Sequence, residues 1–208
     1  MRAYKFLSCK YGLKALREQR LKISEIHSLN DPFDLLPFDL SDPELRRGVI
    51  ASRNEIGANR GMVCFSQHWH NPVLWAHYAE RHKGLCIGFD VPGECTQPVT
   101  YIEHPIKLIH LDYDMANRML FTKYEHWRYE EELRIWATLE DKSGGYYFKK
   151  FGDDLRVVEI ICGAACPVSR RRIEQSLGRR SNGIRITKAR LAFDAFRVVE
   201  DEAGFCQL

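Results

Sequence analysis

Apolar and polar positions follow two different periods along the chain, which predicts a mixture of strands and helices. Short apolar runs, some with strict alternation, indicate strands, and apolar residues three or four positions apart indicate helices. In ELRIWATLE, alternation places Leu133 and Ile135 on one face and Arg134 on the other. Strands are predicted for AYKFLS, LKIS, VCFS, LCIGFD, IKLIHLDY, ELRIWATLE, GGYYFKKFG, LRVVEIICG, GIRIT and LAFDAFRVV.

Proline, asparagine and glycine mark the ends of the predicted helices. One helix covers YGLKALREQRLKIS, and a second opens at Ser41 or Asp42 with a proline at its first position. A third begins after the Asn71-Pro72 pair, and VSRRRIEQSLG is a helix that ends at Gly178. The stretch MANRMLFTKYEHWRY is predicted as a helix or an irregular connection.

Length and composition favour one folded domain. The 208 residues are enough for a well-buried core, and no run rich in Gly, Ser or Pro divides them. Hydrophobic residues make up 45% and charged residues 28%, which excludes extensive disorder. Because strands outnumber helices and strand–helix units do not recur regularly, a doubly wound nucleotide fold is disfavoured. We therefore predict a single α+β domain over residues 1–208.

Apolar runs and cysteines bear on the compartment. The segment MRAYKFLSCKYG lacks a stretch of signal-peptide length, and no later run approaches the roughly 18 apolar residues of a membrane span. We therefore expect a cytoplasmic protein without a membrane partner. The seven cysteines form no CxxC pair, which argues against a disulfide framework and a thiolate zinc site. Most of them are expected to be buried, reduced thiols.

Basic residues concentrate between Val168 and Arg190, although the whole chain carries a net charge of only +3. This basic segment holds eight arginine or lysine residues and one glutamate, a net charge of +7. Such a field can hold nucleic acid or a dinucleotide, whereas a solvated helix face is the alternative. Only Arg172 and Arg179 share a helix face, and no aromatic residues interleave, so we expect weak, non-specific nucleic-acid contact at most. Its candidate residues are Arg170, Arg171, Arg172, Arg179 and Arg180.

Half of the eight histidines lie in the segment MVCFSQHWHNPVLWAHYAERHKGLCIGFD, residues 62–90. The helix predicted in this segment carries four residues at positions i, i+3, i+4 and i+7. This spacing would place two titratable groups and an aromatic hydroxyl on one face of the helix. Trp75 and Tyr78 are interpreted as core or pocket wall, and beside His77 they would stack on a nicotinamide or adenine ring. The residues with this spacing are Leu74, His77, Tyr78 and Arg81.

The same histidines allow a metal-dependent hydrolase or nuclease as an alternative. A His-x-His pair on a strand end can chelate Zn²⁺ or Mn²⁺ through one face. His77 and His82 are five positions apart, however, and an ideal helix separates them by about 140°. We therefore favour a site without metal. The ligands of the alternative site would be His68, His70, His77 and His82.

The sequence NDPFD, residues 30–34, predicts a turn because Asn and Asp bond to their own backbone and proline restrains φ. Asn30 and Asp31 are candidates for contact with a ribose or a phosphate, with turn formation as the alternative role. Phe33 is expected to anchor the loop in the core.

Several of these motifs occur together in one known family. The chain resembles a bacterial domain family of unknown function that is marked by a phenylalanine-asparagine-aspartate-proline-phenylalanine motif. Here Leu29 stands in the place of the first phenylalanine. The resemblance covers roughly residues 4 to 165 and implies no reaction by itself. The motifs that carry it are YKF near the start, NDPFD at 30–34, CFS at 64–66, LWAHYAERHKGLCIGFD at 74–90 and TKYEHWRYEEELRI at 122–135.

A second resemblance, to ADP-ribosyltransferases, does imply a reaction. An opening strand with an aromatic residue, a middle strand that ends in serine and a late Glu-x-Glu pair are similar to the layout of those enzymes. The resemblance implies a split α+β fold that binds NAD between two small sheets, with NAD as substrate. It places Tyr4 and Ser66 at the ribose or nicotinamide and makes Glu130 and Glu132 the carboxylate pair.

Cleavage of the nicotinamide–ribose bond requires a carboxylate near an oxocarbenium-like cation. On an extended segment, Glu130 and Glu132 project to one face and Glu131 to the other. The prediction is therefore ADP-ribosyl transfer or NAD hydrolysis, in which Glu132 stabilises the cation and Glu130 orients the acceptor. A solvated strand end with Glu132 paired to an arginine is the alternative reading of these residues.

The sequence leaves open the acceptor, the biological role and the class of function. The acceptor is a protein or a nucleic acid, and a role as a toxin or in phage defence is a further expectation. A third functional class is a non-catalytic module that binds a nucleotide or a partner through the basic segment.

Overall fold

Helices and strands are both well represented in the computed structural model, which describes residues 1–108, 113–140 and 142–205. The predicted α+β class is therefore confirmed. The strands are β1 (Arg2–Leu7), β2 (Arg20–Lys22), β3 (Ser24–Glu25), β4 (Arg60–Ser66), β5 (Leu85–Asp90), β6 (Gln97–Pro98), β7 (Thr100–Ile102), β8 (Thr122–Tyr124), β9 (Glu132–Thr138), β10 (Lys142–Ser143), β11 (Tyr146–Lys150), β12 (Arg156–Cys162), β13 (Arg185–Leu191) and β14 (Val198–Glu200). The α-helices are α1 (Cys9–Glu18), α2 (Pro43–Asn59), α3 (Pro72–Tyr78), α4 (Tyr113–Phe121) and α5 (Arg170–Leu177).

Local capping residues explain why several helix ends were predicted correctly. The Asp42 carboxylate caps α2 by accepting the backbone N–H groups of Glu44 and Leu45 at 2.9 and 2.8 Å. Asn71 caps α3 in the same way, through the N–H of Val73. Helix α5 ends before Gly178, whose φ of 61° lies in the left-handed region that glycine adopts readily.

Three predicted elements differ from the structure. In IKLIHLDY, Ile106 makes only an isolated bridge with Phe38, and residues 109–112 lie outside the described residues. LAFDAFRVV was predicted as one strand, but residues 192–197 form bends between β13 and β14. The third, ELRIWATLE, forms the predicted strand as β9, but its two faces do not differ in burial, because Leu133, Arg134 and Ile135 are all buried. The N-terminal half of β9 is therefore covered on both faces.

The chain forms two compact units, each assembled from separate segments. The first unit comprises Met1–Leu21, Phe65–Cys95 and the chain from Lys150 onward, and the second comprises Lys22–Cys64 and Thr96–Lys149. The prediction of a single domain over residues 1–208 stays a prediction.

The first unit is built on a sheet with the strand order β14-β13-β12-β5-β1, followed by the end of β4. β12 and β13 run parallel, and the other neighbouring pairs are antiparallel. Strand β5 is apolar and buried over Leu85–Phe89, as expected for a strand covered on both faces. Helices α1 and α5 pack against each other, and α1 buries Leu16 while α5 buries Ile173 and Leu177.

The second unit contains short strands around a separate apolar core. Strand β3 pairs with β4, β6 with β9, β7 with β8, and β10 with β11. Helix α2 contributes only one fully buried residue, Val49, and is otherwise mostly polar. The buried core consists of Ile26, Leu35, Phe38, Val49, Met62 and Met119.

Candidate functional site

Five buried charged side chains of the second unit contact one another, and we call this group the ion cluster. None of the five residues is more than 7% exposed. Large charged side chains are rarely buried to this degree unless they are paired, because leaving water costs several kcal/mol per ion. The ion cluster consists of Asp34, Lys123, Glu130, Glu132 and Arg134.

Different elements supply these side chains. Asp34 ends the NDPFD turn, and Lys123 lies on β8. Glu130 ends the 3-10 helix Glu125–Glu130, and β9 begins at Glu132. The residue between them, Glu131, has a φ of 43° in the left-handed region, so the chain reverses direction there.

Short contacts connect the whole ion cluster. The Lys123 Nζ donates to Glu130 Oε2 at 2.6 Å and to Glu132 Oε2 at 3.0 Å. The Arg134 guanidinium donates from Nε to Glu132 Oε1 at 2.9 Å and from Nη2 to Asp34 Oδ1 at 2.5 Å. Each cation thus bridges two carboxylates.

The convergence of Glu130 and Glu132 was predicted, but for a different geometry. Both carboxylates reach the same ammonium group, as a common site requires. They converge because Glu130 ends a 3-10 helix and the next residue, Glu131, is left-handed. The sequence interpretation assumed instead that residues 130 to 132 are extended. Of the alternative reading, the solvated strand end is wrong because Glu132 is only 2% exposed, whereas the pairing of Glu132 with an arginine is confirmed by Arg134.

Protonation follows from the balance between burial and pairing. Burial alone would raise the pKa of Glu132, but Arg134 and Lys123 outweigh it and lower the pKa to about 2. For Asp34 burial prevails over the attraction of Arg134 and Lys123, so its pKa is raised. Burial opposes charge on Lys123 as well, yet Glu132 and Glu130 raise its pKa above the ordinary value. Glu132 is therefore ionised at neutral pH.

The ion cluster contains three carboxylates and two cations among the described residues. The excess carboxylate can be neutralised by a proton, for which the raised pKa of Asp34 is suited. It can also be neutralised by a positive charge on a ligand or a transition state. This imbalance is the feature of the second unit that indicates chemistry.

Sequence reasoning identified the glutamates of the ion cluster but not their partners. Lys123 and Arg134 lie in the TKYEHWRYEEELRI motif, and Asp34 lies in NDPFD. Tyr101 and Cys64 add hydrogen bonds, since the Tyr101 hydroxyl accepts the Glu132 N–H at 2.8 Å and the Cys64 thiol bonds to the Glu132 carboxylate. The motifs pointed to these residues, but spacing does not show that they meet.

In the first unit, Tyr4 and Ser66 are direct partners between the antiparallel strands β1 and β4. The Ser66 hydroxyl donates to the His68 carbonyl at 2.9 Å and accepts the His68 N–H at 3.3 Å. Burial, followed by the charge of Glu159, raises the pKa of the half-buried Tyr4. Ser66, only 4% exposed, thus closes the turn after β4.

The helix α3 does not present the predicted polar face. It ends at Tyr78, so Arg81 lies beyond it, and its buried side chains are Leu74 and Trp75. Trp75 is fully buried, packs edge-on against Phe6 and donates from Nε1 to the Trp69 carbonyl at 2.6 Å. Trp75 is a core residue in this structure.

The other two candidates of this segment lie towards the surface. His77 is exposed and meets the half-buried ring of Tyr78 edge to face, with ring centroids 6.1 Å apart. Ligand contact by His77 and Tyr78 stays a prediction, whereas the fully buried Trp75 cannot take part in it.

The NDPFD segment forms the predicted turn. Asp31 Oδ1 accepts the Phe33 N–H at 2.9 Å, the bond that defines an Asx turn. Asn30 is exposed, whereas Asp31 is buried. The predicted anchor is wrong, because Phe33 is 66% exposed while Leu35 is buried in the core.

The four histidines of the proposed metal site have separate surroundings. His70 Nδ1 lies 2.8 Å from the Val198 carbonyl, and His82 stacks on Trp75 with centroids 6.3 Å apart. Across residues 1–108, 113–140 and 142–205, no three His, Cys, Asp or Glu side chains are arranged as metal ligands. The convergence of histidines that the metal-dependent alternative requires is therefore not found among these residues.

The basic segment is partly neutralised by its neighbours. Arg170 pairs with Glu174 at 2.9 Å, and Arg185 pairs with Glu200. Lys188 donates to the carbonyls of Gly163 and Cys166. The shared helix face of Arg172 and Arg179 is also wrong, because α5 ends at Leu177 and Arg179 lies in the following 3-10 helix.

A cavity of about 1030 Å³ adjoins the basic segment in the first unit. Four basic and four acidic side chains line it: Arg170, Lys188, Arg190, Arg197, Asp194, Glu200, Asp201 and Glu202. Phe193 also lines it, is 92% exposed and stacks on the Arg190 guanidinium at 4.6 Å. Aromatic and basic residues therefore occur together in this cavity, whereas the basic segment itself contains no aromatic residue.

No family model, curated protein or solved structure matched the chain. The two resemblances seen in the sequence therefore stay predictions. Among the described residues, no helix combines the length and apolar character needed to cross a membrane.

Proposed function

We propose that the protein cleaves the nicotinamide–ribose bond of NAD and transfers ADP-ribose to an acceptor or to water, on a split ADP-ribosyltransferase-like fold. The observation that supports this proposal is the ion cluster, in which Glu130 and Glu132 converge and carboxylates outnumber cations. The nicotinamide ring of NAD and the ribosyl transition state both carry the positive charge that this group lacks.

Each carboxylate has a separate role in the proposal. Glu132, whose pKa is lowered to about 2, stays anionic and stabilises the ribosyl cation as the nicotinamide leaves. Glu130 is the more exposed of the pair and orients the acceptor, or a water molecule in hydrolysis. Its bond to Lys123 fixes the carboxylate in position.

The described arrangement is a closed state for this chemistry. Both Glu132 oxygens are occupied, one by Lys123 and one by Arg134. A ribose can reach Glu132 only if Lys123 or Arg134 moves away from it. The positive charge of the substrate then takes the place of the charge that has moved. Opening of this kind is a conformational step before the chemical one.

The first unit holds the other two residues that the same resemblance names. The resemblance to ADP-ribosyltransferases requires an aromatic residue on the first strand and a serine at the end of a middle strand. Tyr4 and Ser66 occupy those positions and are paired across β1 and β4.

The test is release of nicotinamide from NAD, with heats of NAD binding measured in parallel with and without EDTA. Glu132→Gln should lower turnover by about 10²- to 10⁴-fold, the scale of a lost charge-stabilising group. Glu130→Gln should reduce transfer to an acceptor more than hydrolysis. Glu125→Gln is the matched control, because Glu125 lies on the same 3-10 helix, is only half-buried and pairs with Arg128 outside the ion cluster, and this variant should retain activity.

The rates are divided by the folded fraction of each variant, determined by circular dichroism, because Glu132 also holds the ion cluster together. A wild-type rate in folded Glu132→Gln removes this residue from the mechanism. Absence of both NAD binding heat and nicotinamide release in the wild type contradicts the proposal as a whole.

A second candidate function is supported by the cavity of the first unit. Acidic and basic side chains are equal in number in its lining, and the exposed Phe193 stacked on Arg190 offers a surface on which a nucleotide base can stack. A non-catalytic nucleotide-binding module would show saturable heat with NAD or a mononucleotide but no nicotinamide release. Arg190→Ala should weaken that binding, whereas Arg118→Ala in the second unit should not.

A further inference from the structure

Three cysteines from distant parts of the sequence meet in the first unit, and we call them the thiol cluster. Cys9 is the first residue of α1, Cys162 ends β12, and Cys166 follows in the connection to α5. The Sγ atoms of Cys9 and Cys166 are 3.5 Å apart, and Cys162 forms a side-chain hydrogen bond with Cys166. Cys166 is thus the centre of the group.

The surroundings of Cys166 favour a thiolate. The Cys162 thiol donates a hydrogen bond to the Cys166 sulfur, which lowers the pKa of Cys166, whereas burial raises it. Hydrogen bonds with the Val168 N–H and the Cys9 thiol lower that pKa further. Lys188 adds a positive charge, and its Nζ donates to the Cys166 carbonyl at 2.8 Å. Together these groups lower the pKa of Cys166 to about 6.

The other two thiols remain protonated. Burial, and then the bond to Cys166, raises the pKa of Cys9 to about 12. The pKa of Cys162 is also raised, first by its bond to Cys166 and then by burial. Oxidation of Cys166 would remove its negative charge and its hydrogen bond to Cys9, two of the causes that raise the pKa of Cys9, and so would free Cys9 to attack as a thiolate.

A left-handed turn contacts the thiol cluster. Glu80, Arg81 and His82 have φ values of 50°, 55° and 66°, a conformation that residues other than glycine rarely adopt in succession. The next residue, Lys83, accepts the Cys9 S–H at its carbonyl at 2.7 Å. Oxidation of Cys9 would remove this bond and leave the strained turn with less support.

Exposure distinguishes the two possible partners of Cys166. Cys162 is fully buried, Cys166 is 7% exposed, and Cys9 is half-buried at the surface. Cys9 is therefore the thiol that can move towards Cys166 to form a disulfide without disturbing the sheet. The two sulfurs must approach from 3.5 Å to about 2.0 Å.

We propose that the thiol cluster is an oxidation site at which a peroxide converts Cys9 and Cys166 into a disulfide. The Cys166 thiolate attacks one peroxide oxygen, the O–O bond breaks, and the leaving hydroxide takes a proton to become water. The Cys9 sulfur then attacks the resulting sulfenic acid, the S–S bond forms, and the sulfenic oxygen leaves as water with the Cys9 proton. Two thiols lose two electrons, and the peroxide gains them.

The experiment treats the full-length protein with equimolar hydrogen peroxide and maps disulfides by mass spectrometry of unreduced peptides. We expect a single Cys9–Cys166 crosslink, formed at least about ten times faster than oxidation of Cys95. Cys9→Ser and Cys166→Ser should abolish the crosslink. Cys95→Ser, which removes a half-buried thiol outside the cluster, should leave it intact.

A second measurement does not depend on folding of the variants. In the wild type, the rate of alkylation of Cys166 by iodoacetamide should rise through pH 6 to 7. A Cys162–Cys166 crosslink, or oxidation of all three thiols to sulfonic acids without any crosslink, overturns the proposal. So does a peroxide reaction of Cys9 and Cys166 no faster than that of Cys95.

Discussion

At the scale of single residues, the main feature is a set of charges placed where water is excluded. All five side chains of the ion cluster are ionisable, and Lys123 and Arg134 each pair with two carboxylates. A buried ion pair contributes little net stability compared with apolar residues, but removal of one partner is expensive. The presence of such a group is therefore weak evidence for stability, and its sensitivity to substitution is testable.

Lys123→Met should lower the free energy of unfolding by about 3 to 5 kcal/mol, because it leaves Glu130 and Glu132 without their shared cation. Urea unfolding followed by circular dichroism measures the change. The matched control is Arg118→Met, which removes an exposed pair with Asp114 and should change stability by about 0 to 1 kcal/mol. Equal effects of the two substitutions would contradict the description of the ion cluster as buried.

The lowered pKa of Glu132 gives stability a defined dependence on pH. Because its folded pKa lies near 2 and its ordinary value is 4.5, the stabilisation is complete above pH 4.5 and is lost as the pH falls towards 2. The loss amounts to about 3 kcal/mol. Urea midpoints measured between pH 2 and pH 6 should show this decline in the wild type. Glu132→Gln should lack that part of the decline, and identical slopes would contradict the assignment.

At the scale of secondary-structure elements, the connection between α3 and β5 is the least ordinary part of the chain. Three left-handed residues follow the helix, and Gly84 then enters the strand. A Cβ atom at Gly84 would lie 2.1 Å from the Leu7 carbonyl oxygen, so the close approach of this turn to β1 requires glycine. The motif AERHKG thus encodes a tight turn that ends the helix.

Alanine substitutions at two glycines should have opposite effects. Gly84→Ala should destabilise the protein by more than about 3 kcal/mol, because backbone atoms of Leu7 and Ala79 block the methyl group. Gly48→Ala lies in the exposed interior of α2 with nothing within 4 Å, and should stabilise by about 0.5 to 1 kcal/mol. Thermal melting of both variants provides the comparison. A Gly84→Ala variant as stable as the wild type would show that the turn is described wrongly.

At the scale of the whole molecule, the uneven distribution of charge is reduced by pairing. The basic segment has a formal charge of +7 in the sequence, but Arg170 and Arg185 are paired with glutamates and Lys188 faces carbonyl groups. The exposed Arg171, Arg172, Arg179 and Arg180 extend over a helix and the following 3-10 turn. A surface of this kind supports weak, salt-sensitive contact with a polyanion.

Binding of duplex DNA should therefore be weak and should fall steeply with salt concentration. Each neutralised phosphate contributes about −0.9 to the slope of log K against log salt, so Arg171→Glu combined with Arg179→Glu should flatten the slope by about two. Fluorescence anisotropy at several salt concentrations measures it, with Arg118→Glu as the control. Tight binding that survives physiological salt would make nucleic acid the leading candidate for the acceptor.

The sequence alone determined the elements whose ends depend on neighbouring residues. Asp42, Asn71 and Gly178 mark helix ends by hydrogen bonds and φ values that involve the adjacent three or four residues. The apolar run of β5 and the Gly144-Gly145 turn before β11 are local in the same sense. The α+β class follows from such patterns, since they report which face of each segment avoids water.

Only the tertiary structure decided which polar groups share an environment. Arg134 meets Asp34 across 100 residues, and Cys9 meets Cys166 across 157. Alternation predicted Arg134 on the opposite face from Leu133, but not that this face is also buried. Local propensity acts through neighbours in sequence, whereas burial and charge pairing depend on chain segments that only folding brings together. The partners of Glu132 and the thiol cluster are therefore properties of the fold.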